Sequence, residues 1–156
     1  MSVSSAAIFR TLVFHIIFFA ALGSLELIAP DIACREGLAG PLTLTGISIS
    51  EMCTGLLANP VGRLVLFGLA KYHLFFCLIS VITAFGLNNL SPSTRLTVQQ
   101  VILVLHALNY TADITWAGFH IAWIAAGPLA LVPQGLLVLW DLRCGLATIE
   151  EKQATN

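Results

Sequence analysis

Charge is scarce in this chain. Charged residues make up 10% of the 156 positions, against about 25% in a soluble domain. Hydrophobic residues fill 58%, and the mean hydropathy is +0.92. Too few polar groups are present to cover a water-facing surface, so the chain reads as an integral membrane protein. Its seven basic residues are scattered and its net charge is −1, which excludes the basic stripe of a nucleic-acid-binding protein. The four cysteines, Cys34, Cys53, Cys77 and Cys144, form no C-x-x-C pair, so no thioredoxin-like redox site or zinc ribbon is indicated. The chain has no G-x-S-x-G, no phosphate-binding loop and no H-E-x-x-H, which removes the common nucleophile, nucleotide and zinc-hydrolase signatures. It has no internal repeat. Its length suits one domain, and the only tail-like stretch is the polar end, 150–156.

What is abundant is apolar runs of membrane length, since about 20 residues span a bilayer. The expected fold is an all-α membrane bundle of four transmembrane helices, at about 10–29, 63–87, 96–117 and 121–142. The first run follows Arg10, and small residues (Ala20, Ala21, Gly23, Ser24) sit near its end. A cleaved signal peptide is therefore a competing reading. His15 within the run, and the apolar residues past Ser24, favour a retained helix. His15, Phe19, Leu22 and Glu26 fall close to one of its faces.

Between the first two spans lies a long loop punctuated by Pro30, Gly37, Gly40 and Pro41. Leu42 to Ser50 alternates apolar and polar residues, the pattern of a short hairpin. Ser48 and Glu51 have the spacing of a helix capping box, for a helix ending before Asn59-Pro60. We expect extended chain, then a short interfacial helix. Cys34 and Cys53 both lie here, able to pair on an oxidising side of the membrane. Later, Asn88-Asn89 and Ser91-Pro92-Ser93 form a turn into the third helix. Gly127-Pro128 and Pro133 predict a kinked or broken fourth helix, because each proline removes a backbone hydrogen bond. Trp140, Asp141 and Arg143 mark its exit.

Four spans put Arg10, Arg95, Arg143 and Lys152 on one side, and Arg35 and Arg63 on the other. The positive-inside rule then places both termini in the cytosol, an orientation that suits the endoplasmic reticulum.

The most informative stretch is 96–123. His106, Asn109, Asp113, Trp116 and His120 recur at three- and four-residue spacings, one face of a helix. Polar groups inside a membrane helix are costly without partners, so they mark function by default. Ala70, His73, Cys77, Ser80 and Ala84 repeat that rhythm in the second span. Small residues allow close approach and polar ones bond across the interface, so we expect the second and third helices to pack along these stripes.

Three chemistries are open to these residues. His106, Asp113 and His120 resemble a two-His, one-carboxylate metal set. Seven residues of helix rise about 10.5 Å, whereas ligands sit about 2.2 Å from one metal, so no metal site is expected from that helix alone. Acid–base work is the second: Glu26, Asp113, His73 and His106 are the candidate catalytic groups. Asn109, Tyr110, Trp116 and Lys71 are candidate substrate-binding residues, with Tyr72 and Trp123 as further rings able to shield a cation. The third is structural. Asp113, Trp116, His120 and Trp123 suit the headgroup interface, His106 and Asn109 suit interhelical bonds to Ser80 or His73, and Lys71 suits snorkelling or an ion pair with Asp113 or Glu26. Asn89-Leu-Ser91 and Asn109-Tyr-Thr111 match the glycosylation pattern, but the first lies on the cytosolic side and the second hugs the membrane.

The long first loop, four short spans and polar third-helix stripe resemble the DoxX-like group of small four-helix membrane proteins. More loosely, the outline is similar to small membrane proteins of fungal natural-product pathways. That resemblance implies a terpene cyclase or isomerase, or an accessory factor. Cyclases of that kind use acids to protonate an epoxide or olefin, a part it would give to Glu26 and Asp113.

Three functions follow as expectations. The first is a membrane enzyme of lipid or terpenoid metabolism, working by acid–base chemistry on a hydrophobic substrate without a cofactor. The second is a scaffold or accessory subunit for partner membrane enzymes. The third is a small transporter or proton relay, suggested by the broken fourth helix.

Overall fold

The computed structural model describes residues 2–34, 49–117 and 132–149. It is all-α apart from one short strand pair. In chain order the elements are β1 (Ser2–Val3), α1 (Ser5–Ile28), α2 (Ile49–Ala58), α3 (Pro60–Val81) with a π-helical extension (Ile82–Gly86), α4 (Pro92–Ala117), α5 (Val132–Leu146) and β2 (Thr148–Ile149).

Helix starts follow local chemistry. The Ser4 hydroxyl accepts from the Ala7 N–H at 3.2 Å, and the Asn59 side chain accepts from the Val61 N–H at 2.9 Å, with Pro60 beginning α3. Ser91 accepts from the Thr94 N–H at 3.2 Å, ahead of Pro92. Each satisfies a donor that a helix N-terminus leaves open, and each proline occupies a position where its missing N–H costs nothing.

Two helices, Ser5–Ile28 and Pro60–Gly86, are long and apolar enough to cross a membrane. The first and second expected spans fall on them. The third expected span falls on α4. The fourth overlaps α5, whose described residues run from Val132 to Leu146, past the expected exit. Gly127-Pro128, His120, Trp123 and positions 42–48 of the hairpin expected over Leu42 to Ser50 lie outside the described residues, and the last two residues of that stretch, Ile49 and Ser50, begin a helix instead. The short helix expected before Asn59 is α2.

The helices pair as α1 on α3 and α4 on α5. Both pairs are antiparallel and close because of a glycine. A Cβ on Gly23 would stand 2.9 Å from Leu74 Cγ and 3.1 Å from the Ala70 carbonyl oxygen. One on Gly145 would stand 2.7 Å from Val104 Cγ2 and 3.0 Å from the Gln100 carbonyl oxygen. This corrects the expectation that the second and third helices pack stripe on stripe. The α3 stripe turns mostly to α1: Ala70 lies beneath Gly23, His73 meets Glu26, and the Cys77 thiol donates to the Ile16 carbonyl at 3.5 Å. It reaches α4 near its end, through Ser80 and through Thr83, whose carbonyl accepts from Gln99 at 3.2 Å.

The bundle has two distinct ends. At one, β1 and β2 pair in parallel, Ser2 with Thr148 and Val3 with Ile149. There Gln100 donates to the carbonyls of Cys144 and Ala147 at 3.1 and 2.8 Å. A small apolar core of Val3, Ile8, Leu12, Leu103 and Cys144 underlies it. At the other, Cys34 and Cys53 form a disulfide, the pairing left open by the sequence.

Between the ends the pattern is that of a soluble domain turned inside out. Ile17, Leu64, Phe67, Phe75, Leu105, Leu108, Leu136 and Leu139 are exposed, while Thr11, His15, Glu26, Ser80, His106 and Asp141 are buried.

Candidate functional site

The buried face of α1 carries Ile8, Thr11, Leu12, His15, Phe19, Gly23 and Glu26, spaced three, one, three, four, four and three. This face is the spine of the site. His15 stands at its centre, wholly buried. Its Nε2 lies 2.9 Å from Asp141 Oδ1 on α5, and its Nδ1 lies 3.2 Å from the Tyr110 hydroxyl on α4. The His15 ring stacks on His106 of α4, centroids 4.5 Å apart. His106 Nε2 lies 3.0 Å from Ser80 Oγ, and Ser80 donates to the Phe76 carbonyl at 2.9 Å. Four helices thus meet through side chains in one polar cluster.

Proton placement follows from these partners. Ser80 spends its hydrogen on Phe76, so His106 donates from Nε2 and keeps Nδ1 as a lone pair; that atom has no partner. With Asp141 ionised, His15 donates from Nε2 to the carboxylate and accepts at Nδ1 from Tyr110. If Asp141 takes a proton on Oδ1, the same two contacts hold in reverse. The acid donates to Nε2, and Nδ1–H donates to the Tyr110 oxygen. The chain Asp141–His15–Tyr110 therefore keeps both hydrogen bonds in either protonation state of the acid. Asp141 Oδ2 is buried and also without a partner. An unsatisfied polar atom away from water costs several kcal/mol, so these two atoms are open acceptor positions inside the bundle.

Thr11 extends the cluster toward the strand-paired end. It accepts from Trp140 Nε1 at 2.9 Å, donates to the Ala7 carbonyl at 2.9 Å and approaches Cys144 Sγ at 3.7 Å. Toward the disulfide end, His73 Nδ1 lies 2.7 Å from Glu26 Oε2. Phe19 separates the two groups. Its ring contacts His15, His106 and Tyr110 on one side, and His73 on the other.

A groove of about 420 Å³ runs along the outside of the cluster, between α1 and α5. Ala7, Arg10, Thr11 and Phe14 line it from α1, and Leu137, Trp140 and Asp141 from α5.

The expected site residues are redistributed accordingly. His106 and Tyr110 belong to the cluster. Glu26 and His73 form the separate pair. Asn109 is half-buried on α4. Asp113 and Trp116 lie on the last turns of α4, and their side chains fall outside the described residues. Lys71 is not brought to the site. It is exposed on the outer side of α3, with its ammonium 5.6 Å from the Phe67 ring centroid, and Glu26, its suggested ion-pair partner, is taken by His73. Among the described residues no three His, Cys, Asp or Glu side chains converge on a metal position.

Two residues central to the cluster had other readings. Asp141 was assigned to the membrane exit, because Arg143 follows it. The signal was present nonetheless. Cys144 and Gly145 stand three and four residues after Asp141, which puts these small and polar residues on one helix face. His15 was placed on the right face of the first helix, but without its partner.

No family model, curated protein or solved structure matches this chain. The resemblance to the DoxX-like group therefore rests on the hydropathy outline alone.

Proposed function

We propose that the protein is a multi-pass membrane enzyme performing proton transfer on a hydrophobic small molecule that enters from the bilayer. One observation carries this reading. A wholly buried carboxyl, Asp141, is held by His15 through one oxygen, has its other oxygen unpaired, and lines a groove on the outer face of the bundle. An acid–base residue positioned by an imidazole, beside a space a substrate can occupy, is the minimal apparatus for isomerisation or acid-initiated cyclisation. Asp141 takes the role first assigned to Asp113. His15 positions it, and Tyr110 completes the proton chain.

The membrane setting is supported by the apolar exterior, the buried polar interior and the two helices of spanning length. α1 supplies His15, Phe19, Gly23 and Glu26 to the interior, so we read it as retained rather than cleaved, with α4 and α5 completing four spans. Orientation has two independent supports. Arg10, Arg95 and Arg143 belong to the strand-paired end, as the positive-inside rule asks of a cytosolic face. The disulfide sits at the opposite end, as an oxidising lumen or exterior asks.

The test is chemical. Asp141→Asn preserves shape and removes the acid. Expressed in the native host at wild-type abundance, it should lower one lipid-extract product by about 100-fold or more, the usual range for a lost general acid or base. An unchanged extract from Asp141→Asn at normal abundance would leave the scaffold reading in front.

A proton relay has one observation in its favour. The Glu26–His73 pair lies on the same α1 face as His15, eleven residues or about 16 Å further along. Acid-driven proton entry into vesicles containing the protein, lost in Glu26→Gln, would favour it.

A further inference from the structure

The geometry points to a single-chain amphiphile with an anionic head, a fatty-acid-like carboxylate, as the occupant of the α1–α5 groove. This rests on the acid–base reading of the same site and names its substrate class. The groove is graded along its length. Ala7, Arg10, Thr11 and Phe14 are spaced three, one and three along α1, and α5 runs antiparallel beside them. Arg10 therefore stands at the end near the strand pair, and Phe14 and Leu137 stand toward the middle of the bundle.

Arg10 is exposed and makes no ion pair among the described residues. A second cation belongs to α5, outside the groove lining: the Arg143 guanidinium lies 5.7 Å from the centroid of the Trp140 ring, and that ring lines the groove. The Arg10 guanidinium toward one end, with Arg143 close behind Trp140, and apolar walls at the other match an anionic head and a hydrocarbon tail. Guanidiniums suit this task because their planar donors engage both oxygens of a carboxylate. The head would sit at the level of the membrane surface, where Arg10 and Arg143 are placed, and the tail would run inward parallel to the lipid chains. Asp141, buried beneath the groove between its two ends, would then be the acid nearest the chain atoms close to the head. The reacting carbons would be those near the carboxylate. The carboxylate itself stays on the arginines, away from the like charge of the acid.

Trp140 is a built-in reporter, since the chain has three tryptophans and the other two, Trp116 and Trp123, can be replaced by Phe. The full chain in phosphatidylcholine nanodiscs would be titrated with a brominated long-chain fatty acid, and in parallel with the alcohol of the same chain. Bromine quenches Trp140 only on close approach. The expected result is saturable quenching by the acid at a concentration at least tenfold below the alcohol. Arg10→Gln should abolish that difference, Arg10→Lys should restore most of it, and Leu137→Trp, read by competition, should block both. A lysophosphatidate arm tells a carboxylate requirement from a general preference for an anionic lipid head: equal or tighter binding of the phosphate overturns the carboxylate assignment. Equal quenching by acid and alcohol, or quenching that never saturates, overturns the inference. Asp141→Asn separates the two claims. It should bind the acid normally, so loss of product with binding intact supports both. Retained product with binding intact overturns the acid–base reading alone.

Discussion

The rings of His15 and His106 stack 4.5 Å apart, one from α1 and one from α4, yet they serve different partners. His15 is bonded at both nitrogens, and His106 at one. Two imidazolium charges at that separation would repel by about 4 kcal/mol at an effective dielectric of 20.

The His15–Asp141 pair should show strong coupling in stability. Both side chains are wholly buried, so removing one strands the other. Asp141→Ala or His15→Ala alone should each cost about 3 kcal/mol. The double variant should cost clearly less than the sum. Thermal unfolding in detergent measures this, and additive losses would show that the two groups do not act as a pair.

The glycines at the helix crossings make a graded prediction. Gly145→Ala pushes a methyl against Val104 and the Gln100 carbonyl and should cost about 1–3 kcal/mol by overpacking. Gly23→Ala, facing Leu74 and the Ala70 carbonyl at slightly longer range, should cost less. Gly68→Ala meets nothing within 4 Å and should be neutral or slightly stabilising. Relative melting temperatures of the three would establish the order.

The disulfide predicts a labelling pattern. Without reductant, a maleimide reagent should leave Cys34 and Cys53 unmodified in the denatured chain while Cys77 and Cys144 react. Cys34→Ser should destabilise the protein by about 3 kcal/mol, the loop-closure value for a bridge enclosing some twenty residues. Labelling of four cysteines in the unreduced chain would contradict the bridge.

Phe19 keeps the two polar groups apart, so Phe19→Ala should have two effects. Stability should fall by about 3–5 kcal/mol, as for other buried phenylalanines. The space left between His106 and His73 is lined by imidazoles and is large enough for water. Hydrogen exchange at the α1 amides around position 19 should rise in the variant, while exchange at residues 2–3 should not.

Much of this bundle was legible in the sequence because its signals are local. Hydropathy marks α1 and α3, the Asn59-Pro60 and Ser91-Pro92 pairs mark helix starts, and three-and-four spacing marks His106, His73 and Ser80 as inward-facing. What was not legible is which stripe meets which. A face has a direction only once neighbours are chosen, and α3 chooses α1 because Gly23 admits its backbone closely. Asp141 was misread for a related reason. A charged residue near a basic one at the end of an apolar run looks like an exit. Only the continuation of α5 to Leu146, held by Gln100 on α4, draws it inside.

The strand pair that joins Ser2–Val3 to Thr148–Ile149 has a consequence for biogenesis. His15 and Asp141 are 126 positions apart. At 5–20 residues per second of synthesis, the first helix waits roughly 6–25 seconds for its partner. For that interval the buried imidazole lacks its carboxylate, and Tyr110, 95 positions on, is the partner that reaches it first. The polar contact between α1 and α5 is therefore completed late in synthesis, and the pairing of Ser2 with Thr148 and Val3 with Ile149 closes later still.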